Sequence, residues 1–95
     1  MTTAYRITHL QADPAPEDTR RDGLRAYLRF QVCGLKFDGV MLRTTADGQW
    51  TLSYPLRVDR HGITHYPVRP ADDEARQAIE SAVFAALDRL TEGRP

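Results

Sequence analysis

The chain has 95 residues and a mass of 10.8 kDa, with 41% apolar and 27% charged residues. This is one small domain over 1–95 with ordinary globular composition, which excludes a disordered chain, a collagen-like repeat and a disulfide scaffold. Thirteen basic and thirteen acidic side chains cancel overall, yet residues 24–70 hold seven basic against three acidic ones and 71–95 hold three against six, so the middle of the chain is basic.

Tyr5 to Leu10 alternates in a strand-like way and predicts a first strand. Gln11 to Gly23, with Pro14, Pro16 and a polar run from Glu17 to Asp22, has loop chemistry and predicts a long mobile connection over 11–23. Next, Leu24, Ala26, Leu28, Phe30 and Val32 alternate with Arg25, Tyr27, Arg29 and Gln31, the period of a half-buried antiparallel strand. Cys33-Gly34 predicts a tight hairpin turn into Leu35 to Thr45, and Asp47-Gly48 a second hairpin into Trp50, Leu52 and Tyr54. Pro55 lacks the ladder N–H and ends that strand. Gly62 then turns the chain into a short edge strand over Ile63 to Val68, closed by Pro67 and Pro70.

From Asp72 the period becomes helical, with Ala75, Ile79, Ala82, Val83, Ala86, Leu87 and Leu90 on one stripe and acids crowding the first turn. The helix is expected to end near Gly93. The fold class is α+β, an antiparallel β-meander of four or five strands with a C-terminal α-helix packed on one face. Leu24, Leu28, Phe30, Trp50, Leu52, Ile79, Val83 and Leu87 are its expected core. Phe84 falls about 120° off the stripe at ~100° per residue, and an exposed aromatic there predicts a second contact surface, a homodimer interface.

No apolar run approaches the ~20 residues of a membrane span, and the first twenty residues show no secretory signal. Single Cys33 fits a reducing cytoplasm. Catalytic signals are poor. His61 and His65 lie in an extended segment, ~13 Å apart at strand spacing, too far to share a metal ion without a bend. Neither Ser53 nor Ser81 sits in a nucleophile elbow, and the six glycines form no phosphate loop. No enzyme activity, cofactor or metal is therefore expected.

The basic middle is more informative. Twelve of the thirteen basic residues are Arg, a bias that a GC-rich genome would produce, although the guanidinium fork also suits phosphate. Arg25, Tyr27 and Arg29 share the outward face of the second strand, while Arg57, Arg60 and Arg69 flank the loop after Pro55. Cations beside Tyr27 and Tyr66 are what a phosphate backbone with stackable bases requires, and the loop group is favoured for backbone contact. The bland alternative is a solvated sheet face whose charges merely meet water or a neighbouring subunit.

The order of these features resembles the SpoVG (stage V sporulation protein G, or septation protein) family. The resemblance covers about 24–90 and rests on Leu24-Arg25-Ala26, on Trp50-Thr51-Leu52-Ser53-Tyr54-Pro55, on Ile63-Thr64-His65-Tyr66-Pro67-Val68 and on the helix from Glu74 to Val83. It implies a small homodimeric bacterial protein that binds DNA or RNA and regulates sporulation, septation or virulence genes in the cytoplasm. The family places Ser and a Lys-Arg pair after its strand-ending proline, where this chain has Leu56, Arg57 and Val58, so Arg57 alone keeps a cation. Asp72 and Asp73 add negative charge before the helix. The alternative is a SpoVG-like dimer that binds protein without nucleic acid.

Overall fold

Strand β2 (Leu24–Val32) organises the sheet, because its even-numbered residues are apolar and its odd-numbered ones are polar or amphipathic. Leu24, Ala26, Leu28, Phe30 and Val32 are buried on one face while Arg25, Tyr27 and Arg29 are exposed on the other, as a period of two requires. The computed structural model describes residues 5–20 and 22–92. In it β2 lies between β1 (Thr8–Pro14) and β3 (Leu35–Thr44), and β4 (Trp50–Ser53) pairs the other side of β3. The result is a four-stranded antiparallel meander in chain order, with one long C-terminal helix, α2 (Asp73–Glu92), on its apolar face. The fold is α+β.

The turns follow from local chemistry. Val32 pairs with Leu35, leaving Cys33 and Gly34 as a two-residue turn with φ of 54° and 75°. Two positive values make a turn whose twist matches that of the flanking strands. The β3–β4 loop is built differently: the Thr45 N–H donates to the Gln49 carbonyl, and the Gly48 N–H returns to the Thr45 carbonyl. The Thr45 hydroxyl also accepts the Gln49 N–H and contacts the Asp47 carboxylate. Gly48, with φ of 85°, takes the left-handed position that closes such a three-residue loop.

Two segments differ from the sequence reading. The first strand runs Thr8–Pro14, so Gln11 to Pro14, expected inside the connection, pair with Arg29 to Ala26 instead. An edge strand has one ladder to fill and can face water with polar side chains, and it tolerates Pro14 for the same reason. His9, at φ 56°, lies in the bulge that shifts the register between Thr8 and Gln11. The remaining connection contains a single helical turn, α1 (Glu17–Arg20), before Gly23 returns the chain to β2. The second difference is at Ile63 to Val68, where only β6 (Thr64–His65) is strand. It pairs with β5 (Arg57–Val58) in a separate two-stranded ribbon rather than extending the main sheet.

Asp72 caps α2 by accepting the Ala75 N–H on Oδ1 at 2.8 Å. The expected helix end at Gly93 lies outside the described residues. Val83 is fully buried in the core with Leu28 and Val40, and Ile79 and Leu87 are partly buried against it. Phe30 stacks on Phe37 at 5.3 Å, and Phe37 meets Tyr54 edge-on. Two expectations are corrected. Trp50 is 52% exposed, because it starts an edge strand at the rim of the helix-covered face. Phe84, expected to be exposed, is half-buried and packs against the core, because the groove between α2 and the sheet receives its ring beside Leu42 and Trp50.

Leu28 has no exposed surface, so Leu28→Ala is expected to cost about 2–5 kcal/mol in denaturant unfolding. A loss below about 1 kcal/mol would show the strand faces to be reversed.

Candidate nucleic-acid interface

The face of the sheet away from α2 is built by alternation. Arg25, Tyr27 and Arg29 emerge from β2, and Met41, opposite Tyr27 on β3, shares their face with Arg43 two residues on. Arg43 belongs to this face but was missed in the sequence, although Val40 and Leu42 buried against Met41 and Arg43 is the same period-two signal. Arg25 Nε donates to the Thr44 hydroxyl at 3.1 Å, which holds its guanidinium along the strand ends. Arg29 meets the Asp13 carboxylate of β1 at 3.6 Å, with both side chains largely in water. Such a pair is weak and easily exchanged for another anion.

Tyr66 and Arg69 extend this surface around β4. The Arg69 guanidinium sits 5.1 Å from the centre of the Tyr66 ring, a cation–π contact. Both residues line one cleft with Met41, Arg43 and Ser53, so the segment after the ribbon meets the open face of the sheet. Tyr54 also borders the cleft. Its hydroxyl is buried without a hydrogen-bond partner among the described residues, and burial, then the nearby Glu80 carboxylate, push its pKa up to about 12.

Arg57 and Arg60 are placed elsewhere, on the ribbon. Arg57 lies opposite His65, and Arg60 Nε is 3.4 Å from His61 Nε2 at the loop tip. Asp59 builds that loop: one carboxylate oxygen accepts the His61 and Ile63 N–H groups at 2.8 and 3.0 Å, and the other meets His65 Nε2 at 2.8 Å. The expected loop group of Arg57, Arg60 and Arg69 is thus divided: Arg69 joins Arg43 at the edge of the open face that carries Arg25 and Arg29, while Arg57 and Arg60 stay on the ribbon. His65 has a structural partner in Asp59. Among the described residues no cluster of three or more His, Cys, Asp or Glu side chains is arranged to hold a metal ion, and no helix is long and apolar enough to cross a membrane.

With this geometry in view, no family model, no curated protein and no solved structure matches the chain.

The ribbon carries its own pH dependence. The His65 hydrogen bond, and then that of the Ile63 N–H, hold the Asp59 carboxyl below its ordinary 3.8, against partial desolvation and with further help from the His61 N–H. A folded-state pKa below the unfolded one means that the stabilisation is complete above 3.8 and is lost as pH falls through the lower folded value. His65→Ala is expected to move the Asp59 midpoint up towards 3.8, read by carboxyl-carbon NMR titration. An unchanged midpoint would mean that the bond does not form in solution.

Proposed function

We propose that this protein is a homodimeric nucleic-acid-binding regulatory module, of the kind the SpoVG resemblance implies, which takes DNA or RNA on the open face of its sheet. The observation that carries the reading is the helix-free face with Arg25, Tyr27 and Arg29 on one strand and Arg43 on the next. Guanidinium groups neutralise phosphates and a tyrosine offers a face on which any base can stack, so one surface meets both parts of a nucleotide strand. Zero net charge does not oppose this. Asp73, Glu74, Glu80 and Asp88 belong to α2, on the opposite side of the sheet from Arg25 and Arg29, and Asp73 and Glu80 are engaged by Arg76.

The ribbon supports the dimer. Val58, Ile63 and Val68 are each about half exposed on and beside β5 and β6, an aliphatic surface that a second copy would cover. A regulatory role in gene expression or septation, in a bacterial cytoplasm, comes from the resemblance alone.

A second reading, protein interaction without nucleic acid, has its own support. Leu42, Trp50, Phe84 and Leu87 line an apolar groove with Asp88 beside α2, and an exposed tryptophan at such a groove is a common interface anchor.

Salt titration of binding to short DNA and RNA separates the two. Neutralising Z phosphates gives log K a slope against log salt of about −0.9Z on duplex DNA and −0.7Z on single strands. Arg25→Ala with Arg29→Ala is expected to weaken binding across sequences and to reduce Z by about 2, while Arg57→Ala with Arg60→Ala changes it less. The reverse order would move the site to the ribbon, and no binding at low salt would leave the protein-interaction reading.

For the dimer, light scattering at about 50 μM is expected to report twice the chain mass, because a specific interface of standard size holds in that range. Val58→Asp with Ile63→Asp is expected to return it to the monomer. A wild-type monomer would overturn the homodimer.

A further inference from the structure

The cleft at the β4 edge of the open face has a chemistry more specific than the face itself. We propose that it is a nucleotide pocket, receiving one nucleotide splayed out of the bound strand, with the base against Tyr66 and its phosphate between Arg43 and Arg69. The inference deepens the nucleic-acid reading and rests on it. The cleft has a volume of about 460 Å³ and is open to solvent, within the ~300–1,000 Å³ of small-ligand pockets.

Its lining divides by chemistry. Met41 and Leu56 supply apolar wall, Tyr66, a residue 42% exposed, its ring, and Ser53 a hydroxyl. Arg43 and Arg69 supply the charge, with no acidic side chain on the lining. Neither arginine forms a salt bridge among the described residues, in contrast to Arg29 and Arg76. Arg43 Nη2 instead points at the Met41 sulfur at 3.4 Å, a weak acceptor that phosphate oxygen readily displaces. The Arg69 guanidinium lies over one side of the Tyr66 ring, so charge and aromatic surface adjoin, the combination on which unstacked bases settle. Two unpaired guanidinium groups facing an aromatic wall suit a phosphorylated nucleoside. An uncharged nucleoside leaves both cations unused, and inorganic phosphate leaves the ring unused.

A duplex keeps its bases stacked inside, so the pocket selects single strands or unpaired ends. The ligand chemistry has two sources, a free nucleoside monophosphate and a nucleotide within a strand, and the experiment separates them. Uridine monophosphate, uridine, inorganic phosphate and a short oligouridine are titrated while the Met41 methyl and Tyr66 ring signals are followed by NMR. Uridine monophosphate and the oligouridine are expected to shift both signals, with uridine and phosphate each binding at least about tenfold more weakly than the monophosphate.

Tyr66→Ala is expected to weaken the oligouridine by roughly 5–100-fold with little change in salt slope, as loss of stacking does. Arg43→Gln and Arg69→Gln are each expected to reduce Z by about 1. Tyr66→Leu keeps apolar bulk and removes the ring face, so its loss of affinity with an unchanged circular dichroism spectrum excludes misfolding as the cause.

If the oligouridine binds and Arg25→Ala with Arg29→Ala weakens it, while these cleft variants have no effect, the pocket is wrong and the open face stands. If the monophosphate shifts the cleft signals and no oligonucleotide binds, the site is a free-nucleotide pocket, and both the strand reading and the splayed-nucleotide proposal fall. No response to any probe overturns the pocket, while the nucleic-acid reading stands or falls on the salt titration with short DNA and RNA.

Discussion

A single buried carboxylate ties the helix to the edge of the sheet whose apolar face it covers. Glu80 projects from α2 to the outer edge of β4, where Oε1 accepts the Leu52 N–H at 3.2 Å and the Thr51 hydroxyl at 3.3 Å. Arg76, one turn earlier, donates to Oε2 at 3.2 Å. A carboxylate only 8% exposed is costly unless such partners satisfy it. Here the partners are a strand N–H that would otherwise stay open at a sheet edge and a cation on the same helix. The contact fixes how α2 lies on the apolar face, where Val83, one turn on, enters the core.

Charge follows the same division. The acidic C-terminal quarter of the sequence becomes largely the outer helix, and Asp72 spends its carboxylate on the Ala75 N–H as a cap. The basic middle becomes the sheet and the ribbon. The acidic excess therefore lies on the helix while Arg25, Arg29 and Arg43 come from the sheet, and the charge met by an approaching anion depends on the face it meets.

How much of this was legible in the sequence depends on how local the cause is. The strict alternation of Leu24 to Val32, the Asp47-Gly48 turn, the stop at Pro55 and the Asp72 cap each arise within a few residues and were readable. So was the α+β class. Gln11 to Pro14 became strand because a partner, β2, supplied the ladder bonds that polar residues and proline do not announce. Trp50 has the right period for the core but stands at the rim, a fact of helix length and placement rather than of strand pattern. Grouping Arg43 with Arg69 required the chain to fold back after the ribbon, which no spacing encodes. Cys33 at positive φ was likewise hidden, because the turn signal rested on Gly34.

The edges of the sheet bear on how two copies would meet. An antiparallel sheet invites growth at any strand that presents free ladder groups. On β1 that route is obstructed by the bulge around His9, by exposed Asp13 and by Pro14, which has no N–H to offer. On β4 it is obstructed by Glu80, which already occupies the Leu52 N–H, and by the shortness of the strand, four residues before Pro55. With both edges blunted, continuous sheet extension is the less favourable mode of self-association. The ribbon has the opposite character: two residues in each strand, aliphatic side chains half in water, and a loop made rigid by the three hydrogen bonds to Asp59. A contact made there buries side chains rather than sharing a ladder, and it leaves Arg25, Tyr27 and Arg29 of β2 free on both copies.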